Sequence, residues 1–198
     1  MPRRRRRPQI QAPALPLLPA IQAGGRDAAE WLPPTWKAAP GAPLLTLITD
    51  ASVSPQNGSA AWAAWAKWMG ADQLWCGPYS SAECLEVALA ELCAIGNGID
   101  RALKWFDPGP GVMIVIRSDS LTAINWLVGR TNIKKERPRQ VVDQIRVALS
   151  LYGAAIRVRH VKGHQRGPDV RPAGYINQVV DKAAYQARKQ LEHDRRAA

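Results

Sequence analysis

The chain has 198 residues, enough for one ordinary domain and a tail. Its formal net charge is +11 and its pI about 10.1, which points to a polyanionic partner. No apolar run is long enough to span a bilayer, so a membrane-embedded protein is not expected, and the cysteine usage fits an intracellular, reducing compartment. The three cysteines (Cys76, Cys84 and Cys93) are odd in number and lack Cys-x-x-Cys spacing. They fit neither a disulfide framework nor a structural zinc site.

Residues 1–43 hold nine of the sixteen prolines and the run Arg3 to Arg7. Proline at that density removes the donors that helices and sheet ladders need, so this segment reads as an extended or disordered arm. Trp31 and Trp36 could pin its end onto a domain spanning 44–198. Leu44 to Thr49 is an apolar strand closing on Asp50. Ser52 to Gly58 is a turn, because Pro55, Asn57 and Gly58 fall together. Ala60 to Met69 alternates, with Trp62, Ala64, Ala66 and Trp68 on one face and Trp65 and Lys67 on the other. Gln73 to Cys76 pairs back as a third strand. Ser81 then reads as a helix cap, and Leu85, Leu89, Leu92 and Ile99 carry helical spacing toward Trp105.

Val112 to Arg117 is a nearly all-apolar fourth strand, as expected for a central strand, and Asp119 follows it. Leu121 to Val128 is a short helix. Arg130 to Arg139 is a basic connector, and Gln140 to Tyr152 a further helix. Ile156 to His160 is the fifth strand, with His160 a structural residue at its end. A loop runs from Val161 to Gly174, and a last helix begins at Tyr175 or Ile176. The expected fold is therefore α/β: a five-stranded mixed sheet, three antiparallel strands and then alternating helix and strand, flanked by helices. Trp105 and Trp126 read as core, as do the strand tryptophans.

Asp50 and Asp119 each close an apolar strand, and on neighbouring strands both would emerge at one sheet edge. Glu86 would project from the first turns of the following helix and Asp181 from the last one. Gathered carboxylates repel one another unless a cation neutralises them, and hard divalent ions prefer oxygen ligands. The pattern predicts a site for two Mg²⁺ ions, with Mn²⁺ as a substitute, suited to phosphodiester chemistry.

The motifs Thr49-Asp50-Ala51-Ser52, Ser81-Ala82-Glu83-Cys84-Leu85-Glu86, Ser118-Asp119-Ser120, Val161-Lys162-Gly163-His164 and Asn177-Gln178-Val179-Val180-Asp181 occur in that order. From Leu44 to about Lys189 the chain resembles type 1 ribonuclease H. That resemblance implies a ribonuclease H-like fold and a monomeric, metal-dependent endonuclease. Its action would be to hydrolyse the RNA strand of RNA–DNA hybrids, leaving 5′-phosphate and 3′-hydroxyl ends. It implies Asp50, Glu86, Asp119 and Asp181 as metal-binding catalytic acids, with Glu83 an open alternative to Glu86. His164 would assist proton transfer or product departure. Ser52, Asn57, Ser81, Lys134, Lys135 and Asn177 would contact or support the substrate, the two lysines from a reduced basic loop. Two other readings remain open. One is a DEDD-type 3′–5′ exonuclease, which would want an acid where Ser52 stands. The other is a non-catalytic nucleic-acid-binding module, which would be expected to have lost an acid.

Overall fold

The computed structural model describes residues 28–38, 41, 43–79, 82–161 and 172–197. Six strands form one sheet: β1 (Ala28–Trp31), β2 (Leu45–Ser54), β3 (Ser59–Trp68), β4 (Ala71–Pro78), β5 (Met113–Ser118) and β6 (Ala155–His160). Their spatial order is β1-β6-β5-β2-β3-β4. β2, β3 and β4 are antiparallel neighbours, β2, β5 and β6 run parallel, and β1 closes the far edge antiparallel to β6. The four helices are α1 (Val87–Phe106), α2 (Leu121–Val128), α3 (Glu136–Tyr152) and α4 (Pro172–Ala197). None is long and apolar enough to cross a membrane.

The alternation along the strands sorts the helices onto two faces. Leu45, Leu47, Ile114, Ile116, Ile156 and Val158 point into the main core, together with the buried sides of α1, α2 and α3. Ile48 and Ala63 point the other way and pack against Val180 and Ala184 of α4. At Gly98, α1 packs directly against the side chains of the sheet. A Cβ there would lie 3.0 Å from Ala64 Cβ and 3.1 Å from both Leu47 Cδ1 and Thr49 Cγ2.

The sheet has six strands rather than the five expected. The additional strand, β1, lies inside the segment read as an extended arm. Its Ala29 and Trp31 are buried in the main core, and Glu30 faces Arg157 across the ladder. Four residues between prolines are enough when an apolar pair meets an open sheet edge. The Arg run of the arm lies outside the described residues.

Trp62 and Trp68 pack on the α1 side and Trp65 on the α4 side, as the alternation requires. Trp105 differs from its expected place in the core: it is 63% exposed, its ring edge-on to Trp75. It lies in the last turn of α1, over the edge strand β4, where among the described residues no further element covers it. The last helix starts at Pro172, earlier than expected, and α3 starts at Glu136, so the basic connector is shorter than its sequence suggested.

Candidate metal centre

The site arises from unequal strand lengths. β2 pairs with β5 only from Leu45 to Ile48, then continues beside β3 alone as far as Ser54. Asp50 therefore lies where β2 has outrun its parallel neighbour, and Asp119 is the first residue after β5 ends. Such a switch point, with one connection leading to each side, is where α/β sheets leave a crevice. Asp119 is held by its surroundings. Ser118 Oγ accepts from Ser120 N at 3.1 Å, Ser120 Oγ caps α2 by accepting from Ala123 N, and His160 Nε2 lies 3.0 Å from the Asp119 carbonyl.

The third carboxylate of the group is Glu91, in the second turn of α1. Asp50, Glu91 and Asp119 each place a carboxylate oxygen within 4.8 Å of the other two. Glu91 Oε1 accepts from Ala51 N at 3.2 Å, which ties the helix to the strand beside Asp50. Asp181 and Asn177 on α4 line the same cavity of about 320 Å³, together with Ala51, Val87, Ser120 and Gln178.

Electrostatically the group is far from rest. Burial, followed by the charges of Asp119 and Asp181, pushes the Asp50 carboxyl from its ordinary 3.8 up to about 8. Burial, with Asp50 and Asp119, pushes Glu91 from 4.5 up to about 9. Among the described residues, Glu91 Oε2 and Asn177 Oδ1 are buried acceptors with no donor. Orphaned acceptors among crowded carboxylates match what a hard divalent cation requires, namely oxygen ligands and compensating positive charge. The residues present therefore fit such an ion.

The structure brings Asp50, Asp119, Asp181 and Asn177 together but places Glu86 elsewhere. Instead of one helix running from a cap at Ser81, the chain makes a 3-10 turn over Ala82–Leu85. It then becomes extended at Glu86 (φ −83°, ψ 120°), and α1 begins at Val87. Glu86 is thus the residue preceding the helix, and its Oε2 lies 2.7 Å from Lys135 Nζ at the surface. The second acid of the cluster is Glu91, five residues further on. A sequence signal existed, because Glu91 is the lone charge between Glu86 and Asp100 and lies among small and apolar residues.

The side chain of Glu83 lies outside the described residues, as do Ser81 and His164. Ser52 and Asn57 are engaged within the protein: Ser52 Oγ accepts from Arg188 Nε at 2.9 Å, and Asn57 Nδ2 donates to Glu192 Oε1 at 3.2 Å. Lys134 and Lys135 are exposed in the short connector before α3.

This sheet order with a carboxylate cluster at its switch point defines a ribonuclease H-like protein. A model of the RNase H family matches residues 43–189, and the chain belongs to that family. Solved structures share the fold at low identity. RNase H1 from the halophilic archaeon Halobacterium salinarum NRC-1 aligns with TM-score 0.55 and 18% identity, over 73% of this chain and 97% of the other. The N-terminal RNase H domain of a Mycobacterium tuberculosis protein gives 0.55 and 18%, over 78% and 98%. LC11-RNase H1, solved in complex with an RNA/DNA hybrid, gives 0.58 and 12%, over 74% and 98%. No curated protein sequence gives a significant match.

Proposed function

We propose that the protein is a metal-dependent endonuclease that hydrolyses the RNA strand of RNA–DNA hybrids to 5′-phosphate and 3′-hydroxyl products. One observation carries this reading. Buried Asp50 and Glu91 converge with Asp119 within 4.8 Å, and one Glu91 oxygen is orphaned. Family membership and the hybrid-bound relative support the substrate class.

Asp50, Glu91, Asp119 and Asp181 are the proposed ligands of two Mg²⁺ ions, with Mn²⁺ as a substitute. Glu91 takes the part that Glu86 was expected to play. Bound divalent ions would lower the pKa of an attacking water and stabilise the departing 3′ oxygen. Asp50, on which Asp119 and Asp181 act electrostatically and which itself acts on Glu91, would be one of the residues holding the metal. Asn177 supports the site from the face of α4 that carries Asp181. His164 is proposed to assist proton transfer or product departure. An RNA strand is distinguished by its 2′-hydroxyl, donor and acceptor at once. Backbone groups near Ser52 are better placed for such contacts than the Ser52 and Asn57 side-chain atoms already bonded to α4. Lys134 and Lys135 are proposed to attract the DNA strand.

The test is incubation of labelled hybrid, duplex DNA and duplex RNA with the protein, with and without Mg²⁺, beside Asp119→Asn. The expected result is hybrid cleavage in Mg²⁺ alone, lost in the variant. Cleavage that ignores the metal or survives the substitution overturns the proposal.

A further inference from the structure

The half of the sheet that α4 leaves open carries an arrangement that the acid cluster does not use. α4 packs over β2, β3 and β4 and is the single helix on that face among the described residues. On the same face β1 presents Glu30, β6 presents Arg157 and Arg159, and β5 presents Arg117, because their neighbours in sequence point into the main core. Glu30 and Arg157 are direct partners in the ladder and form an ion pair at 2.5 Å. The next pair has no such balance. Arg117 lies directly opposite Arg159, with Ile48 on its other side, and the outer partner of Arg159 is Ala28.

Among the described residues no carboxylate forms an ion pair with Arg117 or Arg159, and Arg117 Nε is buried with no acceptor. Like charges directly opposed across a ladder are unfavourable, and so is a buried donor left unmade. A single oxyanion between the two guanidiniums would remove both costs, because the planar forks match phosphate oxygens in pairs. We propose that Arg117 and Arg159 form a phosphate site that grips one backbone phosphodiester of a nucleic-acid strand leaving the acid cluster.

Position argues for nucleic acid. Arg117 precedes Asp119 by two residues, about 7 Å along an extended chain, or roughly two nucleotides of a stacked strand. Asp50 shares a face with Ile48 and hence with Arg117, so among the described residues a strand held at the carboxylates continues over β5 and β6 without crossing another element. The identity of the ligand rests on the nuclease reading; the existence of the anion site does not.

The test measures the affinity of the full chain for a fluorescent hybrid in EDTA, over a KCl series. Arg117→Gln/Arg159→Gln is expected to weaken binding about tenfold at 0.1 M salt. It should also reduce the slope of log K against log salt by about 0.9, the value for one phosphate. Arg117→Lys/Arg159→Lys is expected to recover the slope but not the affinity, because charge returns without the fork. Arg101→Gln/Arg196→Gln, which removes two exposed charges elsewhere, should change binding less than twofold.

Unchanged binding in the double glutamine variant overturns the site. So does full recovery by lysine, or an equal loss in the control, since either result means diffuse charge. If the double glutamine variant fails to fold, Arg159→Gln alone, at an exposed position, and the lysine pair give the answer. A chain that cleaves no hybrid but keeps the arginine-dependent slope retains this site and loses the nuclease reading; the converse result loses the site alone.

Discussion

A cluster of carboxylates and one buried carboxylate, Glu192, flank the β2–β3 hairpin, and they have opposite electrostatics. At the switch point, Asp50 and Glu91 are driven up to about 8 and 9 by burial and by each other's company. Near the hairpin turn, Glu192 is held down to about 2 by bonds from Ser59 and Lys189, with Asn57 and Arg188 adding to them. Ser59 Oγ donates to Glu192 Oε1 at 2.6 Å, Arg188 Nη1 at 2.5 Å, and Lys189 Nζ donates to Oε2 at 3.0 Å. One helix serves both places, with Asn177 and Asp181 at its start and Arg188 and Glu192 toward its end. A carboxylate fully supplied with donors fixes the helix to the hairpin. Crowded carboxylates with few donors, and one orphaned oxygen on Glu91, fit a cation instead.

The largest effect comes from removing an acid of the cluster, set beside removal of the surface acid Glu86. Glu91→Gln or Asp119→Asn should lower hybrid cleavage by about 10³-fold or more in single-turnover assays, as loss of an essential group does. Glu86→Gln should leave the rate within about twofold and stability within about 1 kcal/mol, because its partner Lys135 is an exposed surface charge. Equal losses for Glu86 and Glu91 would break the assignment of the second acid.

The next effect is on stability against pH. Without metal, Asp50 and Glu91 stay protonated in the folded protein to about pH 8 and 9, whereas unfolded carboxyls ionise near their ordinary 3.8 and 4.5. The unfolded state then holds fewer protons, so metal-free stability falls as pH rises from about 4 through 9. Asp50→Asn should raise it by on the order of 1–3 kcal/mol at pH 8. Mg²⁺ should flatten the wild-type profile and leave the variant's little changed. Thermal melts with and without metal read both outcomes.

Gly98→Ala should cost about 1–3 kcal/mol, because its methyl group enters space already filled by Leu47, Thr49 and Ala64. Moving α1 outward should also separate Glu91 from Asp50 and raise the Mg²⁺ concentration needed for half-maximal rate. A destabilised variant with an unchanged metal requirement would uncouple the packing from the site. The smallest effect concerns Glu192, whose lowered pKa contributes stability that is full above about pH 4.5 and is lost as pH falls toward 2. Glu192→Gln should therefore lower Tm at pH 7, and the gap from wild type should close in acid.

Much of this architecture was legible because its signals are local. The helix over Leu121–Val128 is bounded by a serine cap and a following glycine, and the structure gives the same limits. Apolar runs precede Asp50 and Asp119, so their joint emergence at one sheet edge follows from strand order, although β2 continues beside β3 to Ser54 where a turn was expected from Ser52. Glu91 was hidden because its role depends on where α1 starts. The 3-10 turn over Ala82–Leu85 moves that start past Glu86, and spacing counted from Ser81 cannot register it. β1 was hidden for a different reason. Its stability comes from an edge supplied by β6, more than a hundred residues away, and its own four residues carry little strand signal among prolines. The pairing of Arg188 with Ser52 and of Glu192 with Asn57 likewise needs the hairpin and the last helix to be side by side.

The notch between β2 and β5 gives single-residue length changes an effect that composition would conceal. Side chains alternate with a period of two, so deleting one residue from Met113–Ser118 would turn Asp119 toward the opposite layer while every acid remained in the chain. Spacing along β5 should thus matter to the proposed metal centre as much as the identity of its carboxylates.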